Sequence, residues 1–221
     1  MAINESFDTV VVLDLDDTLY SEVDYHASGL NEVCRWIERF YGRSLAADLH
    51  TIKSTGEKDL LAGLCRAAGL PLSVKDSLLW VYRLHEPNIQ LTPLVLDVLA
   101  RLRTKCRLVI LTDGRSVSQR QKIKALGLSK FPLYISEEYG ADKPSPLRFE
   151  LIMQHMPAVR YFYVGDNPKK DFIAPNALGW TTLGLRDNGR NIHSQNLDGL
   201  KPEYLPQAWI ISFDEILNYV C

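Results

Sequence analysis

The hydrophobic pattern divides the chain into two kinds of segment. Residues 10–13 are four consecutive apolar residues, three of them valine, which predicts a strand buried on both faces of a parallel sheet. From Asp24 to about Glu86 apolar residues recur at helical spacing instead. This spacing predicts one helix that ends near Gly42 and further helices over Leu45–Ile52, Asp59–Ala68 and Val74–Leu84. We therefore expect residues 24–86 to form an all-helical cap subdomain.

After Pro93 the pattern alternates between helix and strand. The predicted strands are Arg107–Leu111, Leu133–Ile135, Tyr161–Val164, Thr181–Leu185 and an edge strand at Trp209–Ile211. The predicted helices are Leu94–Arg103, Val117–Leu126, Leu147–His155, Lys169–Leu178 and Phe213–Val220. Such alternation implies an α/β fold with a doubly wound, Rossmann-like parallel sheet between two helical layers. Residues 1–23 and 87–221 would form this core domain, interrupted by the cap.

Composition narrows the class of protein and of partner. Of 221 residues, 46% are hydrophobic and 24% are charged, which is typical of a globular protein. A net charge of −2 without a basic run argues against nucleic acid or an anionic membrane as a partner. Met1–Glu5 lacks signal-peptide features and no apolar run reaches membrane-spanning length. We expect a cytoplasmic monomer or homodimer whose four widely spaced cysteines are reduced and mostly buried.

Polar residues gather where the predicted strands end. Asp14-Leu15-Asp16-Asp17-Thr18 follows the first strand, and the later strands are followed by Thr112-Asp113-Gly114, by Asp142-Lys143-Pro144 and by the segment 165–171. Ligands bind beyond the carboxyl ends of the strands in an open parallel sheet. Three carboxylates within four residues repel one another, so we expect a cation or a reaction there. The structural alternative is an acidic turn.

These four segments resemble, in order, the motifs of the haloacid dehalogenase superfamily of phosphohydrolases. Asp14 to Thr18 matches its Asp-x-Asp-x-Thr motif, and Thr112 matches its hydroxyl residue at the end of an apolar strand. Lys143-Pro144 matches its lysine motif, and 165–171 matches Gly-Asp-x-x-x-x-Asp. The resemblance covers Val10 to Leu185, with a helical cap after the first motif. A narrower likeness, over residues 111–128, is to pyrimidine 5′-nucleotidases and N-acylneuraminate 9-phosphatases.

The chemistry of Asp14 and Asp16 suggests a catalytic role for each, and the resemblance adds a metal site. Asp14 is the candidate nucleophile, because a carboxylate can form an aspartyl-phosphate that water cleaves. Asp16 is the candidate acid that protonates the leaving alcohol and the base that activates the water. The resemblance implies Mg²⁺ bound by Asp14, the backbone carbonyl of Asp16, and Asp166. It also implies that Asp171 holds the metal's waters or Lys143.

The remaining motif residues are predicted to bind the phosphate. Thr112, Lys143 and the backbone amides of Asp113 and Gly114 would surround its oxygens. The Asp113 side chain, where related phosphatases often carry Asn, is expected to tune the local charge. Three of the motif residues also have a structural interpretation. Lys143 could be a solvated surface lysine, and the Thr112 hydroxyl could bond to its own backbone. Asp171 could be a carboxylate at the positive end of a helix.

The resulting hypothesis is a Mg²⁺-dependent phosphatase for a small phosphomonoester, such as a nucleoside monophosphate or a sugar phosphate. A 2-haloacid dehalogenase of the same superfamily normally lacks the acid at the position of Asp16. A sugar phosphomutase would share that acid and stays open. A non-catalytic phosphate-binding module would be expected to lose Asp14, Asp16, Lys143 or Asp166, and none is lost.

Several residues outside the motifs are given structural roles. We expect His26 and His85 to be structural, Ser116 to cap the helix that it begins, and the aromatic residues Trp36, Phe40 and Trp80 to lie in the core of the cap. Residues Asp187 to Gln207 have the composition of a long surface loop. The sequence leaves open whether that loop reaches the site.

Overall fold

A parallel sheet positions every loop of the site. The structure is a computed structural model that describes residues 7–221; the segment Met1–Glu5, expected to lack a signal peptide, lies outside them. The described residues form the strands β1 (Thr9–Leu13), β2 (Arg107–Thr112), β3 (Leu133–Ile135), β4 (Arg160–Gly165), β5 (Thr181–Leu185) and β6 (Ala208–Ile210). Their order is β3-β2-β1-β4-β5-β6, with every neighbouring pair parallel. The strand order reverses at β1, and a crevice for a ligand is expected at such a point.

Helices fill the connections between the strands. The helices in the predicted cap segment are α1 (Glu22–Tyr41), α2 (Ala46–Ser54), α3 (Leu60–Ala68) and α4 (Lys75–Leu84). The later helices are α5 (Pro93–Leu102), α6 (Ser116–Ala125), α7 (Ser136–Tyr139), α8 (Leu147–His155), α9 (Ile173–Ala177) and α10 (Leu217–Val220). Short 3₁₀ helices lie at Leu72–Val74, Pro202–Tyr204 and Phe213–Ile216. No helix in the described part of the chain is both long enough and apolar enough to cross a bilayer.

The two faces of the sheet are covered by separate apolar clusters. Val11 and Leu13 of β1 belong to one cluster, together with residues of α5 and the C-terminal segment. Val10 and Val12 belong to the opposite cluster, with Phe149 of α8. Successive residues of a strand point to opposite faces, so an uninterrupted apolar run serves both clusters. The three-layer α/β fold predicted from the sequence is confirmed.

The helices α1–α4 enclose an apolar cluster of their own. Leu30, Val33 and Ile37 of α1 pack with Leu64 of α3 and Leu78 of α4. The helix α1 begins at Glu22, shortly before the expected boundary at Asp24. The division into a core domain and a cap at residues 24–86 stays a prediction about domains.

Two expectations about helices and aromatic residues are wrong. The helix predicted over Lys169–Leu178 begins only at Ile173, because a side-chain-stabilised turn precedes it: Asn167 accepts from the Lys169 amide, and Asp171 accepts from the Asn167 amide. Phe40 and Trp80 are 59% and 54% exposed, so they are not core residues of the cap. Only Trp36, which is partly buried, packs against its apolar cluster.

The helix α6 begins differently from the prediction. Ser116 lies inside the helix, and its hydroxyl donates to Glu138 (2.5 Å). The exposed backbone amide of Ser116 instead donates to the Glu137 carboxylate (2.7 Å). The helix that contains Glu137 and Glu138, α7, was not predicted. The predicted helix Phe213–Val220 consists of a 3₁₀ helix followed by α10.

Other structural expectations are confirmed. Cys34, Cys65 and Cys106 are buried free thiols, and Cys221 is an exposed one. The ring of buried His85 contacts the Tyr82 carbonyl oxygen (2.6 Å) and the Ser28 hydroxyl (3.2 Å). A ring nitrogen of His26 lies 2.9 Å from the Tyr82 hydroxyl. Both histidines therefore join α1 to the end of α4.

We expect Phe149→Ala to lower the free energy of unfolding by about 3–5 kcal/mol, because its fully buried ring packs edge-on against Tyr163 and Trp180. Urea denaturation measures this change. Val159→Ala, at a side chain that is 79% exposed, is the control and should stay within about 0.5 kcal/mol of the parent. Equal losses in both variants would contradict the assigned core.

Candidate active site

A buried lysine joins two of the predicted acids. Asp14 directly follows β1, and its backbone amide donates to the Val164 carbonyl of β4 (2.9 Å). The Lys143 ammonium donates to Asp14 Oδ1 (2.7 Å) and lies 2.7 Å from Asp171 Oδ1. It also donates to the Tyr163 hydroxyl (2.9 Å). Lys143 is thus neither solvated nor alone, and it links loops that follow β1, β3 and β4.

Burial and neighbouring charges shift the pKa values of Lys143 and Asp14 in opposite directions. Burial favours the neutral form of Lys143, but the carboxylates of Asp14 and Asp171 outweigh it and raise its pKa well above the ordinary value. Lys143 is therefore a permanent cation. For Asp14, burial is the larger effect and raises the pKa to about 7 even though Lys143 lowers it. One ammonium does not fully balance the acids around it.

A third acid completes a buried cluster. Asp166 follows β4 and is 3% exposed, and oxygens of Asp14, Asp166 and Asp171 lie within 4.8 Å of one another. Burial, followed by the negative charges of Asp171 and Asp14, raises the pKa of Asp166 to about 9. Such crowding of carboxylate oxygens is unfavourable without a positive ion. An all-oxygen donor set with excess negative charge fits Mg²⁺.

Gly165 is required by this close packing. A Cβ atom at Gly165 would lie 2.5 Å from Asp171 Oδ2 and 2.9 Å from its carboxyl carbon. That carboxylate is held by Lys143 and by the Asn167 amide (2.8 Å), so it has little freedom to move away. The glycine of the Gly-Asp motif therefore makes room for Asp171 beside Asp166.

Asp16 lies in a different electrostatic environment from Asp14. Asp16 accepts hydrogen bonds from the Tyr20 hydroxyl (2.5 Å), the Lys122 ammonium (2.7 Å) and the Gln119 side-chain amide (2.9 Å). Burial would raise its pKa, but the charge of Lys122 and these hydrogen bonds outweigh burial and lower the pKa below the ordinary value. Asp16 is therefore held as a carboxylate.

Lys122 and Gln119 were not assigned a role from the sequence. The Lys122 side chain is buried, lies 3.7 Å from Glu22 and approaches the centre of the Tyr25 ring to 4.2 Å. Gln119 also donates to the Asp113 carbonyl (2.6 Å). The available signal was the pair of polar residues one helical turn apart on the buried face of α6, next to buried Ile123.

The predicted phosphate-binding groups differ in whether they are free to bind a phosphate. Thr112 is 1% exposed, and its hydroxyl has no hydrogen-bond partner among residues 7–221, so a buried donor is available. The Gly114 amide instead donates to the Ser136 hydroxyl (2.9 Å). Gly114 and Ser136 line a neighbouring pocket. The backbone cradle predicted at Gly114 is thus closed by Ser136 in this conformation.

The Asp113 side chain binds protein groups. It pairs with buried Arg148, with Lys170 (3.4 Å) and with the Lys143 backbone amide (3.2 Å). Burial would raise the pKa of Asp113, but the charges of Lys143, Lys170 and Arg148 outweigh it and lower the pKa. The expectation that the side chain tunes the local charge of the site stays a prediction. The lysine and arginine partners were not foreseen.

A small cavity opens in front of the acids. Its volume is about 140 Å³. It is lined by Asp14, Asp16, Glu22, Asp113, Asp166, Lys170 and His193. All seven side chains are charged or titratable. Lys143 and Asp171 contact Asp14 and Asp166 from outside this lining, and His193 comes from the long loop after β5.

We expect Lys143→Met to lower the free energy of unfolding by about 3–5 kcal/mol, because it leaves buried carboxylates without their shared cation. Urea denaturation near neutral pH measures the loss. Lys169→Met removes an exposed ammonium and should change stability by less than about 0.5 kcal/mol. A Lys143 variant as stable as the Lys169 variant would contradict the buried ion pair.

Stability of the metal-free protein should fall as pH rises from about 5 to about 9. Asp14 and Asp166 have pKa values of about 7 and about 9 in the folded protein, against a reference of 3.8. The folded state therefore holds protons that the unfolded state has released, and it loses this advantage as each folded pKa is passed. Denaturation in the presence of a chelator at several pH values tests this.

Asp166→Asn supplies the comparison for the pH series, since it removes the group with the higher pKa. The decline above pH 7 should then become shallower. Parallel pH profiles for the parent and this variant would show that Asp166 is not a buried acid of raised pKa.

Solved structures with a similar fold cover nearly the whole chain. A 2-haloacid dehalogenase from Pseudomonas syringae pv. Tomato DC3000 has a TM-score of 0.63 at 19% identity, covering 95% of this chain and 96% of its own. The magnesium-bound HAD-hydrolase YfnB from Bacillus subtilis has a TM-score of 0.64 at 18% identity, covering 96% and 98%. A predicted phosphoglycolate phosphatase from Haemophilus somnus has a TM-score of 0.64 at 18% identity, covering 98% of this chain and 99% of its own. At these identities the likeness shows the fold alone.

The sequence comparisons give the family. No curated protein matches the chain. The family model described as haloacid dehalogenase-like hydrolase matches residues 9–179, well over half of the chain. This range includes the four motif segments and their buried acids. The chain therefore belongs to the haloacid dehalogenase-like hydrolases.

Proposed function

We propose that this hydrolase is a Mg²⁺-dependent phosphatase that acts on a small, polar phosphomonoester. The observation that carries the proposal is the arrangement around Asp14. A carboxylate with a pKa raised to about 7 lies against a buried lysine, beside Asp166, and shares one cavity with Asp16. This is the set of groups that an aspartyl-phosphate mechanism needs.

In the first proposed step, a carboxylate oxygen of Asp14 attacks phosphorus. The bond from phosphorus to the leaving oxygen breaks, and Asp16 in its protonated form gives its proton to that oxygen. Lys143 and the Thr112 hydroxyl, which has no hydrogen-bond partner among residues 7–221, would stabilise charge on the phosphoryl oxygens. In the second step, water attacks phosphorus, Asp16 takes the water's proton, and Asp14 is released with inorganic phosphate.

The surroundings of Asp16 favour the second of these steps. Tyr20, Lys122 and Gln119 all donate to its carboxylate, which suits removal of a proton from water. Donation of a proton to the leaving group requires the opposite form. The first step therefore needs the Lys122 and Gln119 contacts to be loosened when substrate is bound, since both compete for the oxygens that would carry the proton.

The cluster of Asp14, Asp166 and the Asp16 carbonyl would hold the cation, with Asp171 supporting Lys143 from 2.7 Å. Mg²⁺ bound there would neutralise charge between the nucleophile and the phosphate. The raised pKa values of Asp14 and Asp166 show that burial and neighbouring acids disfavour their ionised forms. A bound cation would offset this effect by favouring the ionised form of both, which supports the assignment.

The cavity limits the substrate. A volume of about 140 Å³ is close to that of an engineered protein cavity of roughly 150 Å³ that holds one benzene molecule. It accommodates a phosphoryl group with few additional atoms. Because charged or titratable side chains surround it, a hydroxyl-rich leaving group such as a sugar fits this region better than a nucleobase, which would require stacking surfaces.

Related activities of the fold are less well supported. A dehalogenase would not need the acid at Asp16, which this chain has and surrounds with three donors. A phosphomutase shares that acid and differs in the fate of the phosphoryl group, which it returns to a sugar. The assay below separates these reactions by their products.

Purified protein with Mg²⁺ should release inorganic phosphate from part of a panel of phosphomonoesters that includes sugar phosphates, nucleoside monophosphates and a nitrophenyl ester. Asp14→Asn should lower kcat/KM by at least about 10⁴-fold, because it removes the nucleophile. The panel should also contain a 2-haloacid, with halide release as the readout, and a sugar phosphate whose isomerisation is followed.

The matched control is Asp97→Asn, since Asp97 is an exposed acid of α5. This variant should keep the parent activity. Full activity in Asp14→Asn would exclude the proposed nucleophile. Halide release or isomerisation without phosphate release would replace the phosphatase by a dehalogenase or a mutase.

A further inference from the structure

The loop after β5 is organised by its own polar contacts. We call residues 187–195 the β5 loop. The Asp187 carboxylate accepts the backbone amides of Gly189 (2.7 Å), Arg190 (3.0 Å) and Asn191 (3.0 Å). One side chain thus satisfies three successive backbone donors, which fixes the start of the loop without regular secondary structure.

The β5 loop is attached to two motif segments and to the cap. Gln195 donates from its side chain to the Asp166 carbonyl and to the Leu185 carbonyl (2.7 Å each). The Ile192 amide donates to Asp17 Oδ2 (2.8 Å). Arg190 forms an ion pair with Asp24 of α1 (2.6 Å). The loop therefore bridges the segments that follow β1 and β4.

One residue of the loop contacts a predicted metal ligand. The Asn191 side-chain amide donates to Asp166 Oδ2 (2.9 Å). The Asp166 carboxylate is nearly fully buried and belongs to the acidic cluster with Asp14 and Asp171. A hydrogen bond to one oxygen of a ligating carboxylate fixes its orientation, and the loss of such a partner weakens metal binding.

A second residue of the loop faces the cavity. His193 lines the same cavity as Asp14 and Asp16. Of the basic side chains in that lining, Lys170 pairs with Asp113 (3.4 Å). His193 is itself an exposed residue. Its ring is thus available to a ligand that extends beyond the phosphoryl group.

We propose that two residues of the β5 loop act in the site: Asn191 is a positioning residue for Asp166, and His193 contacts the leaving group of the substrate. Asn191 would strengthen cation binding. His193 would favour a leaving group that has a hydrogen-bonding atom close to the ester oxygen. The inference rests on the proposed phosphatase function for His193. For Asn191 it rests only on cation binding by the acidic cluster.

Asn191 is tested by direct binding of Mg²⁺. Isothermal titration calorimetry on Asn191→Ala should give a Kd about 10–100-fold weaker than that of the parent. The increase in Tm on addition of Mg²⁺ should shrink accordingly. Asn188→Ala, in the same loop at an exposed position, is the matched control and should bind Mg²⁺ like the parent. Equal Kd values for the two variants would overturn the positioning role.

His193 is tested by comparing ligands with and without a leaving group. His193→Ala should raise KM for a sugar phosphate by about fivefold, the effect of one lost hydrogen bond. Inhibition by inorganic phosphate, which has no leaving group, should stay unchanged. An unchanged KM would overturn the assignment, as would an equal loss for ester and phosphate.

The two arms also separate this inference from the proposed function. If the parent protein hydrolyses no ester, the phosphatase proposal and the role of His193 fail together, whereas calorimetry still decides the role of Asn191. If the parent is active and His193→Ala behaves like the parent, only the leaving-group contact is lost. A thermal melt of each variant without Mg²⁺ verifies that the fold is retained.

Discussion

The ion cluster around Lys143 is the interaction on which the site depends. Its ammonium lies 2.7 Å from both Asp14 and Asp171, and all three side chains are almost fully buried. Two carboxylates could not remain ionised so close together at that depth without a cation. Because Asp14, Lys143 and Asp171 follow three different strands, the cluster also fixes how the corresponding loops meet. The apolar clusters on both faces of the sheet position the strands. The ion pairs of Lys143 then fix the positions of the acidic side chains in the loops.

The sheet order explains why one short segment supports two kinds of acid. The segment after β1 lies between β2 and β4, so neighbours approach it from both sides. Asp14 lies against Lys143, where burial prevails and raises the pKa to about 7. Asp16 lies against Lys122 of α6, where charge and hydrogen bonds prevail and lower the pKa. Environments that separate the pKa values of paired carboxylates in this way are typical of acid–base sites.

Much of the core, and less of the site, could be predicted from the sequence. Consecutive apolar residues identified β1, and residues at strand ends identified Asp14, Lys143 and Asp166, because both signals are local. The contacts of Lys122 with Asp16 and of Asn191 with Asp166 depend on how distant elements pack, which no local pattern records. The turn before α9 was missed for a similar reason, since side chains of Asn167 and Asp171 replace the first helical turn.

The helix α1 begins at Glu22, shortly after Asp16, and its first turns carry Glu22 and Tyr25 to the Lys122 ammonium. A displacement of the start of α1 would therefore move the Glu22 carboxylate and the Tyr25 ring away from the Lys122 ammonium. The position of α1 and the ionisation of Asp16 are consequently coupled, because Lys122 contacts both Glu22 and Asp16 and lowers the pKa of Asp16.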